Sequence, residues 1–185
     1  MPSATEPAHT LVTIVAIVGA GPLGRWLAMG AARAGFHVLL EDVMPANLHH
    51  ARESIRQALG PEALPAVAFV SSIEDAVHQA DLVIDCVPDE LESKLEILWL
   101  LDRMAPPRTV FATPTTNLSI ADLASCTYRP EKCIAIAVAP TDLAAVAGPN
   151  VALRAAPATS QETIALVCDF WMKLGFRPVV ERSAA

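Results

Sequence analysis

Positive charge, paired cysteines and unbroken apolar runs are all scarce in this sequence, and each shortage removes a class of function. Thirteen lysines and arginines face 20 acids, a formal net charge of −7 at pH 7. No basic stripe is visible, so no nucleic-acid partner is expected. An anionic cofactor is still admissible, because backbone N–H dipoles can hold one locally. Cys86, Cys126, Cys133 and Cys168 form no Cys-x-x-Cys pair and have no ligands spaced around them. That argues against a metal site and for reduced thiols in a cytoplasmic protein. Apolar residues make up 53% of the 185, and mean hydropathy is +0.41. Their runs are short and charges interrupt the longer ones, so no membrane span is expected. No basic, apolar leader opens the chain. Residues 1–10 read as a loose tail and residues 11–185 as a single domain with a sizeable core.

What is present concentrates between Thr13 and Asp42. Ile14-Val15-Ala16-Ile17-Val18 is a β-branched apolar run of strand length. Gly19-Ala20-Gly21-Pro22-Leu23-Gly24 follows at once, then a helical pattern to about Ala34 with Leu23, Leu27, Gly30/Ala31 and Ala34 on one face. Gly35 stops it, and the strand Phe36–Leu40 ends in Glu41 and Asp42. Strand, glycine turn, helix, strand and acid are the context that dinucleotide binding requires. Gly19 allows the tight turn, Gly21 leaves no Cβ in the way of a pyrophosphate, and Gly24 lets the helix pack close to the strand. The helix start, with Pro22 and Leu23 in its first turn, offers unpaired N–H groups to phosphate. Asp42, 18 residues beyond Gly24, is placed to accept from both ribose hydroxyls, which favours NAD over NADP. Arg25 and Arg33 lie on the helix and do not overturn that preference. Trp26, in the first turn, either packs on a neighbour or crowds the cofactor.

Further along, helices are predicted over Pro45–Leu59, from Ser72, over Glu90–Met104, Ser119–Ser125 and Ser160–Leu174. Strands are predicted over Ala66–Val70, Leu82–Val87, Thr109–Thr113, Cys133–Ala139, Val151–Ala155 and Phe176–Val180. In the long helix, Leu91, Leu95, Leu98, Leu101 and Met104 form the apolar stripe, with Asp102 and Arg103 on a polar side. The alternation predicts an α/β, doubly wound Rossmann fold with a mostly parallel sheet, order 3-2-1-4-5-6 at its centre. Ligands in such sheets sit beyond the strand C-termini.

Several stretches together resemble the NAD-binding domain of L-3-hydroxyacyl-CoA dehydrogenases: Gly19 to Arg25, Asp42, Ala80 to Lys94 (A-D-L-V-I-D-C-V-P-D-E-L-E-S-K) and Thr113 to Ile120. The resemblance spans Leu11 to Ser183. It implies NAD as cofactor and an acyl-CoA-type substrate. It also places Val87, Pro88, Asp89 and Lys94 by the cofactor, the last two near its nicotinamide half, and Thr116 at a substrate contact. From the residues alone, Lys94 also reads as an exposed i,i+4 partner of Glu90, and Thr116 as a cap of the next helix.

The same comparison exposes two departures. The family's strand six leads into a histidine base held by a glutamate. Here the segment is Ile134-Ala135-Ile136-Ala137-Val138-Ala139-Pro140, which puts Ile136 at the histidine and Ala139 at the asparagine of the family pattern. All five histidines (His9, His37, His49, His50, His78) lie in the first half, and no glutamate occurs between Lys132 and Gln161. The chain also stops where the family's helical second domain begins. Three readings therefore stand. The first is an NAD-dependent hydroxyacyl-type oxidoreductase with its proton carrier elsewhere (Lys94, Asp89 or Asp142, with Thr116 as a further weak catalytic candidate). The second is a non-catalytic NAD-binding module, and the third a scaffold. Self-association through the last helix, around Trp171, is compatible with all three.

Overall fold

The computed structural model describes residues 12–138 and 150–182; the predicted tail lies outside them. β1 (Ile14–Val18), α1 (Pro22–Arg33), β2 (His37–Glu41), α2 (Pro45–Leu59), β3 (Val67–Val70), α3 (Ile73–Val77), β4 (Leu82–Asp85), α4 (Leu91–Met104), β5 (Val110–Pro114), α5 (Ile120–Ala124), β6 (Cys133–Ile136), β7 (Asn150–Ala155), α6 (Gln161–Lys173) and β8 (Arg177–Arg182) follow in chain order. The strands form one sheet in the order β3-β2-β1-β4-β5-β6-β7-β8. The neighbouring pairs from β3 to β6 are all parallel. β7 returns antiparallel to β6, and β8 runs parallel to β7. The predicted central order is the one found, and the order reverses between β1 and β4, where an open sheet of this kind leaves its crevice.

Strand alternation divides the core into two layers. Val15, Ile17, Val38, Leu40 and Ile84 pack with α1, α2 and α6 on one face, while Ala16, Val18, Val83 and Phe111 pack with α3, α4 and α5 on the other. Helix starts follow the sequence signals. Ser72, Ser119 and Ser160 each accept a backbone N–H three residues on. Positive φ at Gly35 and Gly175 ends the two helices that precede β2 and β8. At the opposite end from the crevice, Asp81 accepts from the N–H groups of Thr13 and Ile14 and from Arg108 Nε, fastening the entry of β1 to β4.

Several expectations need correction. A 3₁₀ turn over Pro61–Ala66 takes the first residue predicted for β3. β4 stops at Asp85 and β6 at Ile136, each short of its predicted end; Ala137 and Val138 are not strand, and Ala139, the last residue of predicted strand six, lies outside the described residues. In α4 the buried face is Lys94, Ile97, Leu98, Leu101 and Asp102, while Leu91 and Met104 are exposed. The stripe is turned because two charged residues are drawn inward by partners on other elements: Lys94 by Asp85, and Asp102 by Arg129 and the Tyr128 N–H. Trp171 is wholly buried, so it cannot carry a contact between copies. Cys133 is buried, with its thiol pushed up to about 12 by burial, while Cys86, Cys126 and Cys168 are half-buried.

Candidate functional site

The turn between β1 and α1 is built by close backbone approach. A Cβ on Gly24 would stand 1.9 Å from the Gly19 carbonyl oxygen, so only glycine lets the helix sit this near the strand end. Gly19 has φ +102°, and its N–H donates to the Glu41 carbonyl at 2.8 Å. Gly21 is the residue before the first helical turn, and a Cβ there would meet no atom within 4 Å. Arg25 N–H makes the first intrahelical bond, to Gly21. Among the described residues, no acceptor takes the N–H groups of Gly21, Leu23 or Gly24. Pro22 has no N–H to offer, and its fixed φ suits the first helical position. Leu23 is buried and contributes only its backbone. Unpaired donors at the positive end of a 12-residue helix, facing a space cleared of side chains, fit a diphosphate.

One brace was not read from the sequence. Arg25 Nη1 donates to the Ala20 carbonyl at 2.9 Å, setting a cation against the same loop. Trp26, by contrast, turns away from the loop. Its ring lies 6.3 Å from that of Trp171 and 5.5 Å from that of Phe176, which settles its two readings in favour of packing.

Asp42 ties the loop to the end of β2. Its Oδ2 accepts the Ala20 N–H at 2.9 Å, its Oδ1 accepts the Met44 N–H at 2.8 Å, and the Asn47 amide donates to both oxygens at 3.1 Å. Two carboxylate oxygens offer about four acceptor directions, and Asn47 is exposed, so a ribose diol can take the place of its amide. Neighbouring Glu41 is buried on the other face of the sheet. Its Oε1 has no partner among the described residues, and burial together with the Asp42 charge pushes its carboxyl up to about 7.

Across the crevice, Val87 is half-buried and Pro88 exposed in the loop after β4. Asp89 Oδ2 accepts the Thr116 N–H at 3.0 Å and lies 3.4 Å from the Thr116 hydroxyl, joining this loop to the turn after β5. Thr116 therefore does not cap α5; Ser119 does. Lys94 is not an exposed partner of Glu90. It is fully buried, and its Nζ lies 2.5 Å from Asp85 Oδ1. Burial pushes the Asp85 carboxyl up, against the charge of Lys94, which holds it down. As a proton carrier Lys94 would have to leave that pair. Ile136 is buried in the core and pairs with Leu153 of β7, with Ala137 bonded to Ala152, so no protonatable side chain stands at those four positions. Ala139, Pro140 and Asp142 lie outside the described residues. His37, His49, His50 and His78 are exposed and away from the strand C-termini.

Known proteins resemble this chain in sequence and fold. The family described as "3-hydroxyacyl-CoA dehydrogenase, NAD binding domain" matches residues 14–184. A probable 3-hydroxybutyryl-CoA dehydrogenase of Bacillus subtilis is 30% identical over 133 residues, covering 65% of this chain and 46% of that protein. A 5-formyl-3-hydroxy-2-methylpyridine 4-carboxylate 5-dehydrogenase of Mesorhizobium japonicum is 31% identical over 182 residues, covering 92% of this chain and 57% of that protein. The crystal structure of 3-hydroxybutyryl-CoA dehydrogenase from Escherichia coli superposes with a TM-score of 0.83 at 28% identity, over 94% of this chain and 39% of that one. The chain thus spans about half the length of the curated relatives it matches.

Proposed function

The chain belongs to the family of the 3-hydroxyacyl-CoA dehydrogenase NAD-binding domain, and from that premise we propose that it holds NAD(H) across the crevice for hydride exchange with a 3-hydroxyacyl-type substrate. The diphosphate rests on the free N–H groups of Gly21, Leu23 and Gly24, with Gly19 and Pro22 shaping the loop. Asp42 takes the adenosine ribose. Val87, Pro88 and Asp89 border the nicotinamide half, and the unpartnered Asp89 Oδ1 awaits a donor. Lys94 acts at one remove, by fixing the end of β4 beneath that loop. Bound NAD(H) would supply the hydride chemistry, and these residues would hold and orient it.

The observation that carries this reading is the 1.9 Å that separates a hypothetical Gly24 Cβ from the Gly19 carbonyl, beside the cleared space over Gly21. Together they make a cradle that serves little purpose without a phosphate. Calorimetry with NAD and with NADH tests it: binding of either at micromolar to low millimolar concentration is expected, and no heat with both would overturn it.

Ile136 favours a second reading, a module that binds NAD(H) without turning substrate over. An aliphatic side chain cannot move a proton. Oxidation of NADH by acetoacetyl-CoA at an ordinary dehydrogenase rate would exclude this alternative. Among the described residues no helix is long and apolar enough to cross a membrane. The free thiols support a reducing compartment such as the cytoplasm.

A further inference from the structure

The turn after β5 is gripped from two sides, and each grip leaves a polar atom unmet. On one side Asp89 takes the Thr116 N–H, and on the other Arg154, reaching from β7, donates through Nη2 to the Thr115 carbonyl. Asp89 Oδ1 and Arg154 Nε are both buried without a hydrogen-bond partner among the described residues. The ion pairs found there use Arg56, Lys94, Arg108, Arg129 and Lys173, not Arg154. A guanidinium keeps its charge at any physiological pH, and drawing it partly out of water without a counter-ion is unfavourable. Its position is informative. Arg154 pairs across the ladder with Ala135, which also pairs with Thr113 of β5, so it lies one register step from Ile136 and beside the turn that bears Thr116. The ladder thus puts Arg154 on the face that Ala135 and Thr113 share, opposite to that of Ile136, with its guanidinium against the turn that bears Thr116.

We propose that Arg154 anchors the carboxylate of a small 3-oxo or 3-hydroxy acid, so that the ligand at this end is a free acid and not a thioester. The fork of the guanidinium matches a carboxylate in shape as well as charge. A neutral thioester carbonyl would leave the charge uncompensated. The proposal deepens the reading of the crevice as a hydride-transfer site and rests on it for the choice of a 3-oxo or 3-hydroxy compound. The requirement for an anion rests on Arg154 alone.

Calorimetry on the full chain, with and without saturating NADH, tests this using acetoacetate, its neutral ethyl ester and acetoacetyl-CoA. Acetoacetate is expected to bind the wild type, to bind Arg154→Met about tenfold or more weakly, and to bind Arg154→Lys with an intermediate loss. The ester should bind wild type and Arg154→Met alike. Acetoacetate heat that is absent in both conditions, or that Arg154→Met leaves unchanged, overturns the proposal. So does an equal loss of acetoacetyl-CoA binding, which would mean that the cation reads coenzyme phosphate. If Arg154→Met fails to fold, Arg154→Lys and Arg154→Gln carry the same comparison. NADH titrated alone separates the two readings. Arg154-dependent acetoacetate binding without NADH binding sinks the cofactor assignment and leaves this one. NADH binding with Arg154-independent acetoacetate does the reverse.

Discussion

The two sides of the crevice are finished to different degrees. Around β1 and β2 the chain supplies its own partners: Asp42 is held by Ala20, Met44 and Asn47, and Arg25 closes on Ala20. Around β4, β5 and β7, Asp85 Oδ2, Asp89 Oδ1, Thr113 Oγ1 and Arg154 Nε are all buried without hydrogen-bond partners among the described residues. Buried polar atoms without partners are uncommon, because each costs about 1–3 kcal/mol. The contrast teaches that the side chains around β1 and β2 are fixed by the chain's own bonds, while those around β4, β5 and β7 keep polar atoms open to a ligand. Glu41 is the side-chain exception around β1 and β2, where the backbone N–H groups of Gly21, Leu23 and Gly24 are also unmet among the described residues.

The largest effect should come from the unfinished side. Lys94→Met leaves Asp85 buried without its cation and is expected to cost about 3–5 kcal/mol in urea unfolding, with Asp85→Asn in the same background restoring part of it. If Lys94→Met proves harmless, the pair does not hold the end of β4 and the contrast fails. On the finished side, Gly24→Ala must push α1 off the Gly19 carbonyl. A loss of about 1–3 kcal/mol is expected in the same assay, together with abolished NAD binding by calorimetry. Retained affinity would mean that the diphosphate lies elsewhere.

Glu41 gives a pH signature. Its carboxyl titrates near 7 when folded, against 4.5 as the ordinary value, so the folded protein holds a proton that the unfolded chain releases. Its contribution to stability is fully present below about 4.5, is lost as pH rises to about 7, and is level above that. Glu41→Gln should remove this slope and stabilise the protein at pH 8 by about 1–3 kcal/mol. Parallel pH profiles of melting for the two proteins would show that Glu41 is ionised when folded. The smallest expected effect is in Asp42→Asn, whose single amide oxygen keeps one of the two bonds to backbone N–H and which loses the charge. NAD affinity should fall about tenfold and the preference over NADP should narrow. An unchanged preference would remove Asp42 from the ribose.

Most of the finished side was legible in the sequence, because its logic is local. Three glycines within six residues, a helix start and an acid at the next strand end lie close along the chain, and the order of strands follows from the alternation. Serine caps at 72, 119 and 160 were equally readable. The unfinished side depends on pairings across distant elements. Lys94 sits in the first turns of an amphipathic helix and looks solvent-facing until Asp85, nine residues earlier on another element, draws it in. Arg154 stands in an otherwise small and apolar strand, and its bond to Thr115 spans 39 residues. Glu41 and Asp42 are chemically alike in sequence; only strand alternation, which sends one to each face, separates the acid that holds the Ala20 and Met44 N–H groups from the one with an unmet oxygen among the described residues.

Trp26, on the helix that begins at the glycine turn, faces away from that turn and lies with its ring tilted against that of Trp171 on α6. The molecule therefore carries an internal light source that ligand does not disturb by contact. Reduced nicotinamide absorbs where indole emits, so occupancy of the crevice becomes readable as a loss of ultraviolet-excited tryptophan emission and a matching gain from the dinucleotide, with no label added.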